Sequence, residues 1–266
     1  MMSQRQEALL SSIIEEFIKT AEPVSSKFLE KSGFFDLSSA TIRAEMNELE
    51  GLGYLAHLHT SGGRMPTDYA YRFYVDNFAG EVHKSRNEKQ EKAIREAIWG
   101  AGRDPREINK AVAQTLSDLS DNLVIAGIIE EDDFFKVGLS SLFEMPEFRE
   151  FDRAFRLTSF FDEFEVLFDQ IAKEFFPVAV DSRSAEGFGE ARVLAKEGQE
   201  DVRVFIGREN PVKDIRDETV MFTKYNLPHN LTGSITLVGP TRMDYAKNIG
   251  LFRCATQELN KISKEV

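Results

Sequence analysis

Residues 38–67 constrain the chain more than any other stretch, because their apolar positions change period at a glycine boundary. From Ser38 to Glu50, Ile42, Met46 and Leu49 recur at helical spacing, and Gly51 and Gly53 stop that helix. Tyr54-Leu-Ala-His-Leu-His59 then alternates as a strand does, Thr60-Ser-Gly-Gly63 forms a tight turn, and Arg64-Met65-Pro66 returns. Upstream, Leu9, Leu10, Ile13, Ile14, Phe17 and Ile18 mark an amphipathic helix that ends before Pro23. Ser25 or Ser26 caps a short second helix carrying Phe28 and Leu29, which Gly33 closes. Thr67 caps another helix, Asp68–Phe78, whose Tyr69, Tyr71, Phe73 and Tyr74 read as packing for an interdomain seam. Three short helices, a β-hairpin and a glycine tip in this order predict a winged helix-turn-helix over residues 1–80.

The third helix carries the functional information. Projected at 100° per residue, Ile42, Met46 and Leu49 share one face, while Ala40, Arg43, Ala44 and Asn47 point the other way. Arginine can fork onto guanine, asparagine can pair with adenine, and a small alanine can accept a thymine methyl. Residues 37–44 and 51–67 contain no acid, so the negative charge is kept off the two elements such a module presents to a groove. That local sign outweighs the module's seven basic against eleven acidic residues, since salt screens charges beyond about 8–10 Å. Any amphipathic helix has a polar outer face, and a Gly-Gly hairpin is a common connector. Physics alone therefore leaves open DNA reading and a ligand-sensing protein whose winged helix contacts protein. His57-x-His59 lacks a third ligand and reads as a surface or capping pair.

Charge and composition exclude other classes. A net charge of −12 argues against coating nucleic acid or anionic lipid by bulk attraction. The single cysteine, Cys254, rules out a disulfide framework and a Cys-based zinc site. The opening segment has no secretory core, and the longest apolar stretch is far short of the roughly 20 residues that span a bilayer. A cytoplasmic protein without membrane, cofactor or metal is expected. No H-E-x-x-H, G-x-S-x-G or Walker loop occurs, and Glu130-Glu131-Asp132-Asp133 reads as a solvated turn, so no enzyme is expected.

Residues 81–122 are polar and rich in helix formers. They read as connecting helices broken near Gly100–Gly102 and restarted by Asp104-Pro105. Residues 123–266 form the second module. Leu123–Ile129, Val178–Val180, Val202–Ile206, Val220–Thr223 and Ser234–Val238 look like strands, with an apolar helix around Phe151–Phe176 and a final helix near Asp244–Lys264. The pattern is mixed α/β or α+β.

Several segments agree with one family. RQEALLSSIIEEFIKTAEPVSSKFLEK, SSATIRAEMNELEGLGYL and HTSGGRMPTDYAYRFYVD resemble the N-terminal module of the heat-inducible transcription repressor HrcA family. FIGRENP, SITLVGPTRMDYAKNIGLF and MPEFREFD resemble its C-terminal module. The resemblance implies an α+β chain, with a winged helix-turn-helix followed by a GAF-like mixed α/β domain. It implies a homodimer that represses chaperone operons from an inverted-repeat operator, CIRCE, in double-stranded DNA. It also implies a GroEL-type chaperonin as partner. By matched position, Ser38, Ser39, Thr41, Arg43 and Asn47 would lie on the recognition helix, and His59, Thr60, Ser61 and Arg64 in the wing. In the base-reading picture Arg43 meets a base and Arg64 a phosphate. Two departures stand out. Ala44 replaces the asparagine that usually follows the recognition arginine, and the stretch from Asp121 to Met145 is too short for the family's inserted dimerisation segment.

Overall fold

The computed structural model describes residues 2–57, 63–77, 87–175 and 202–264. The chain divides into two compact units, one of residues 1–79 with Arg242–Asp244, the other of residues 80–241 and 245–266. No helix among the described residues is long and apolar enough to cross a membrane.

In the first unit each helix is started by a side chain that satisfies an otherwise orphaned backbone donor. Helix α1 (Gln4–Thr20) opens with a capping box between Ser3 and Gln6. Helix α2 (Ser26–Ser32) takes its cap from Ser25 and ends on Gly33 in the left-handed region, φ 72°. Helix α3 (Ser39–Gly51) is capped by Ser38. Leu9, Leu10, Ile13 and Ile14 of α1, Leu29 of α2, and Ile42, Met46 and Leu49 of α3 are all buried. Each is worth about 1.5–3 kcal/mol of burial. The chain then forms two short antiparallel strands, β1 (Leu55–Ala56) and β2 (Met65–Pro66), paired Leu55 to Pro66 and Ala56 to Met65. The regular strand is shorter than the alternation of Tyr54–His59 predicts, and residues 58–62 of the turn lie outside the described residues. Helix α4 (Asp68–Asn77) starts at Thr67, whose hydroxyl accepts from the Ala70 amide at 3.3 Å and donates to the Gly53 carbonyl at 2.7 Å. Tyr71 and Tyr74 are buried, but Tyr69 is 57% exposed and stacks on Tyr54, ring centres 4.6 Å apart.

The second unit is built on one five-stranded sheet. Its strands are β3 (Leu123–Ile128), β4 (Asp133–Val137), β5 (Arg203–Ile206), β6 (Glu218–Asn226) and β7 (Thr232–Pro240), in the order β4-β3-β7-β6-β5. Every pairing is antiparallel, which decides for α+β over a parallel α/β arrangement. Helices α5 (Glu88–Gly100) and α6 (Pro105–Ser120) are integral to this unit. Ile108, Val112, Ala113 and Leu116 of α6 are fully buried, and Asn109 accepts a hydrogen bond from Tyr225 of β6. Helix α6 thus covers a sheet face and α5 packs on α6 and α9, so residues 87–120 do more than bridge two modules. After the short helix α7 (Leu139–Glu144), helix α8 (Phe151–Phe175) lays Leu157, Phe160, Phe164 and Phe168 on the opposite face, against Leu123, Ile125, Val220, Phe222 and Val238. Covered on both faces, β3 is buried along its whole length, which explains its unbroken apolar run.

Strand β4 was not expected. The acidic run folds into the turn that makes it: Ile129–Glu131 is a 3-10 turn, and Asp132 in the left-handed region reverses the chain. The start of α8 is fixed by a buried ion pair, since Arg153 donates from Nε and Nη2 to the two Glu218 carboxylate oxygens, each at 2.8 Å. The last helix, α9, spans Tyr245–Ile262. The expected strand Val178–Val180 lies outside the described residues.

Candidate nucleic-acid interface

Three elements position the surface formed by α3 and the hairpin. The start of α3 is tied to α2: the Ser26 and Ser39 hydroxyls lie 3.0 Å apart, and the Ser39 amide donates to Glu30 at 2.8 Å. Ser38 caps the helix by accepting from the Thr41 amide at 3.3 Å, and its hydroxyl lies 3.0 Å from that of Thr41. Ser38 and Thr41 are exposed, while Ser39 is half-buried. The hairpin is tied back by Arg64, whose amide and carbonyl bond Val24 at 2.8 and 2.9 Å. Gly63 makes that approach: a Cβ there would sit 2.5 Å from the Val24 oxygen and 2.6 Å from the Pro23 carbonyl carbon.

The charges on α3 are sorted by the fold. Glu45 pairs with Arg5, Glu48 accepts from Gln6 at 2.7 Å, and Glu50 lies 2.8 Å from Arg64 and against His57. Burial pushes the Glu50 carboxyl up, but the His57 hydrogen bond and the Arg64 charge overcome it and hold it below the usual carboxylate range. With Glu45 buried and Glu50 half-buried, Ala40, Thr41, Arg43, Ala44 and Asn47 make up the exposed face together with Glu48, which is exposed but bonded to Gln6. Arg43 has no hydrogen bond or ion pair among the described residues. Its guanidinium is free to fork onto paired acceptors such as guanine N7 and O6.

Arg64, the expected phosphate contact, is engaged within the protein. Its side chain is only 11% exposed, ion-paired to Glu50, and its Nη2 donates to Asn47 Oδ1 at 2.7 Å. Arg64 thus belongs to the scaffold beneath Asn47. His59, Thr60 and Ser61 lie outside the described residues. The fold also exposes Lys27, in the first turn of α2, at the end where Ser26 meets Ser39. Its sequence signal was the Ser25 cap just before it, which marks a helix start beside the α3 N-terminus.

Residues 79–249, more than half of the chain, match the family model of the HrcA protein C terminal domain. The chain is 28% identical to the heat-inducible transcription repressor HrcA of Oceanobacillus iheyensis over 334 aligned positions, covering 97% of this chain and 96% of the relative. It is 27% identical to the protein of that name from Clostridium tetani, covering 99% of this chain and 96% of the relative. A solved structure described only as a hypothetical protein, at 20% identity, shares the fold with a TM-score of 0.76 and covers 100% of this chain and 99% of its own. The chain belongs to the HrcA family.

Proposed function

We propose that this chain is a negative transcriptional regulator of heat-shock genes that reads double-stranded DNA through α3 and the hairpin. The observation that carries the reading is the sorting of charge on α3, with Glu45, Glu48 and Glu50 each held by a partner while Arg43 projects from the exposed face. The names of the relatives support the same regulatory role. Residues 1–80 act as a winged helix-turn-helix, and residues 123–266 as a GAF-like domain with α5 and α6 against it. Ser38, Ser39, Thr41, Arg43 and Asn47 face the duplex, His59, Thr60 and Ser61 serve as wing contacts, and Arg64 supports Asn47.

One such helix contacts only a few base pairs. In this reading the site is an inverted repeat, of the CIRCE type that the family resemblance implies, and a homodimer reads it with two contacts that reinforce each other through effective concentration. Aligning 334 positions with a chain of 266 residues opens at least 68 gap positions in this chain, which supports the absence of the inserted dimerisation segment. The two copies then meet through the shortened second unit. The reading includes a cytoplasmic setting and control by a GroEL-type chaperonin.

The test is competition binding of the full chain to its own chaperone promoters against scrambled DNA at fixed moderate salt. Preference for the inverted repeat is expected. Equal binding, or none, overturns the reading and leaves a winged helix that contacts protein.

A further inference from the structure

We infer that Arg64 is a positioning residue that fixes Asn47 as a hydrogen-bond donor, so that this helix position reads guanine and not adenine. The inference rests on the reading of α3 as a DNA interface.

Arginine carries only donors, so the amide atom facing it must be the oxygen whichever way the side chain is drawn. Asn47 Oδ1 accepts from Arg64 Nη2 at 2.7 Å, and the Glu50 carboxylate 2.8 Å from Arg64 Nε holds the guanidinium in place. His57 braces Glu50 from the other side. With the carbonyl turned in toward Arg64, the planar amide points its NH2 away. Asn47 itself is exposed, so that NH2 group lies on the open face with Arg43, one helical turn earlier.

The bidentate adenine pair needs both halves of the amide facing the base, the carbonyl accepting from N6 and the NH2 donating to N7. Here Arg64 takes one of the two carbonyl lone pairs and turns the oxygen inward, so the donor half is the one presented outward. Guanine offers two acceptors, N7 and O6, on its groove edge and suits a donor-only group. The chain Glu50–Arg64–Asn47 thus converts an ambidextrous side chain into a one-way reader, and couples it to the hairpin through the backbone of Arg64.

The test is selection of duplexes from a randomised pool by the full chain, run in parallel for the wild type, Asn47→Ala, Arg64→Ala and Glu50→Gln. The wild type is expected to enrich an inverted repeat with guanine at one position per half-site that Asn47→Ala no longer specifies. Replacing that guanine by 7-deazaguanine should weaken wild-type binding about tenfold and leave Asn47→Ala unmoved. Arg64→Ala should lose discrimination at the same position and keep the others. Glu50→Gln, which keeps the side-chain volume, should do so in part and serves if Arg64→Ala melts early. Adenine at the Asn47 position overturns the inference. So does an Arg64→Ala variant that weakens all duplexes equally with a flatter salt dependence, because that marks a phosphate contact. If the wild type enriches no sequence, the DNA reading falls and this inference falls with it.

Discussion

The Arg64 guanidinium lies 2.8 Å from the Glu50 carboxylate, joining the residue ahead of β2 to the last turn of α3. The contact turns two local elements into one surface. It removes an acid from the exposed edge of α3 and places the hairpin at a fixed distance from the helix that carries Arg43.

Glu50 makes that link pH-dependent. Its pKa is depressed in the folded chain, so its contribution is fully present above the ordinary value of 4.5 and is lost as pH falls through the lowered one. In melting experiments across acid pH, the wild type should lose more stability than Glu50→Gln, and the two should converge at the acid end. Parallel pH profiles would contradict the assignment.

Arg43→Ala should weaken binding to the preferred duplex by about 1–3 kcal/mol and hardly change binding to random DNA. Fluorescence anisotropy with the two duplexes at one salt concentration checks it. A uniform loss on both would move Arg43 from a base to the backbone.

Gly63→Ala should open the hairpin. The new Cβ would meet the backbone of Pro23 and Val24 at 2.5–2.6 Å, and backbone cannot swing aside as a flexible side chain does. Overpacking of this kind costs about 1–3 kcal/mol. Lowered thermal stability is expected, together with weaker binding to DNA, because the Val24–Arg64 pairing is displaced. An unchanged melt would show that the strand yields freely.

Arg153→Ala should be far more damaging than its half-buried position implies. It leaves Glu218, which is 2% exposed, without its ion-pair partner, and burial already pushes that carboxyl up against the pull of Arg153. Breaking a buried pair costs about 3–5 kcal/mol, whereas replacing both partners by apolar groups is often neutral. Denaturant unfolding should therefore place the double variant Arg153→Met/Glu218→Leu well above the single one. The reverse order would mean that the pair is a net source of stability.

Much of the first unit was legible because its punctuation is local. Gly33 and Thr67 act within three or four residues of themselves and could be read directly, whereas for α2 and α3 the sequence narrowed the cap to a pair of serines, of which the structure uses Ser25 and Ser38. Asp104-Pro105 likewise opens α6 as expected, with Asp104 accepting from the Arg106 amide. Strand β4 was hidden because it is half-buried throughout, follows three acids and opens on a fourth; only pairing with β3 makes it a strand. The status of α5 and α6 was hidden for a related reason. Their polar surface resembles a linker, and only contacts distant in sequence, such as Asn109 with Tyr225, reveal the covered face. In the candidate site the exposed face of α3 follows from helical projection. The role of Arg64 does not, because its partners Asn47 and Glu50 are brought to it by the hairpin.

The most direct test of operator reading by paired copies is a titration of the full chain against three duplexes at one ionic strength: the intact inverted repeat, a single half-site and a scrambled control. Two chains bound per intact repeat are expected, with affinity well above the half-site and the half-site above the control. Indistinguishable curves for the three duplexes would contradict the account.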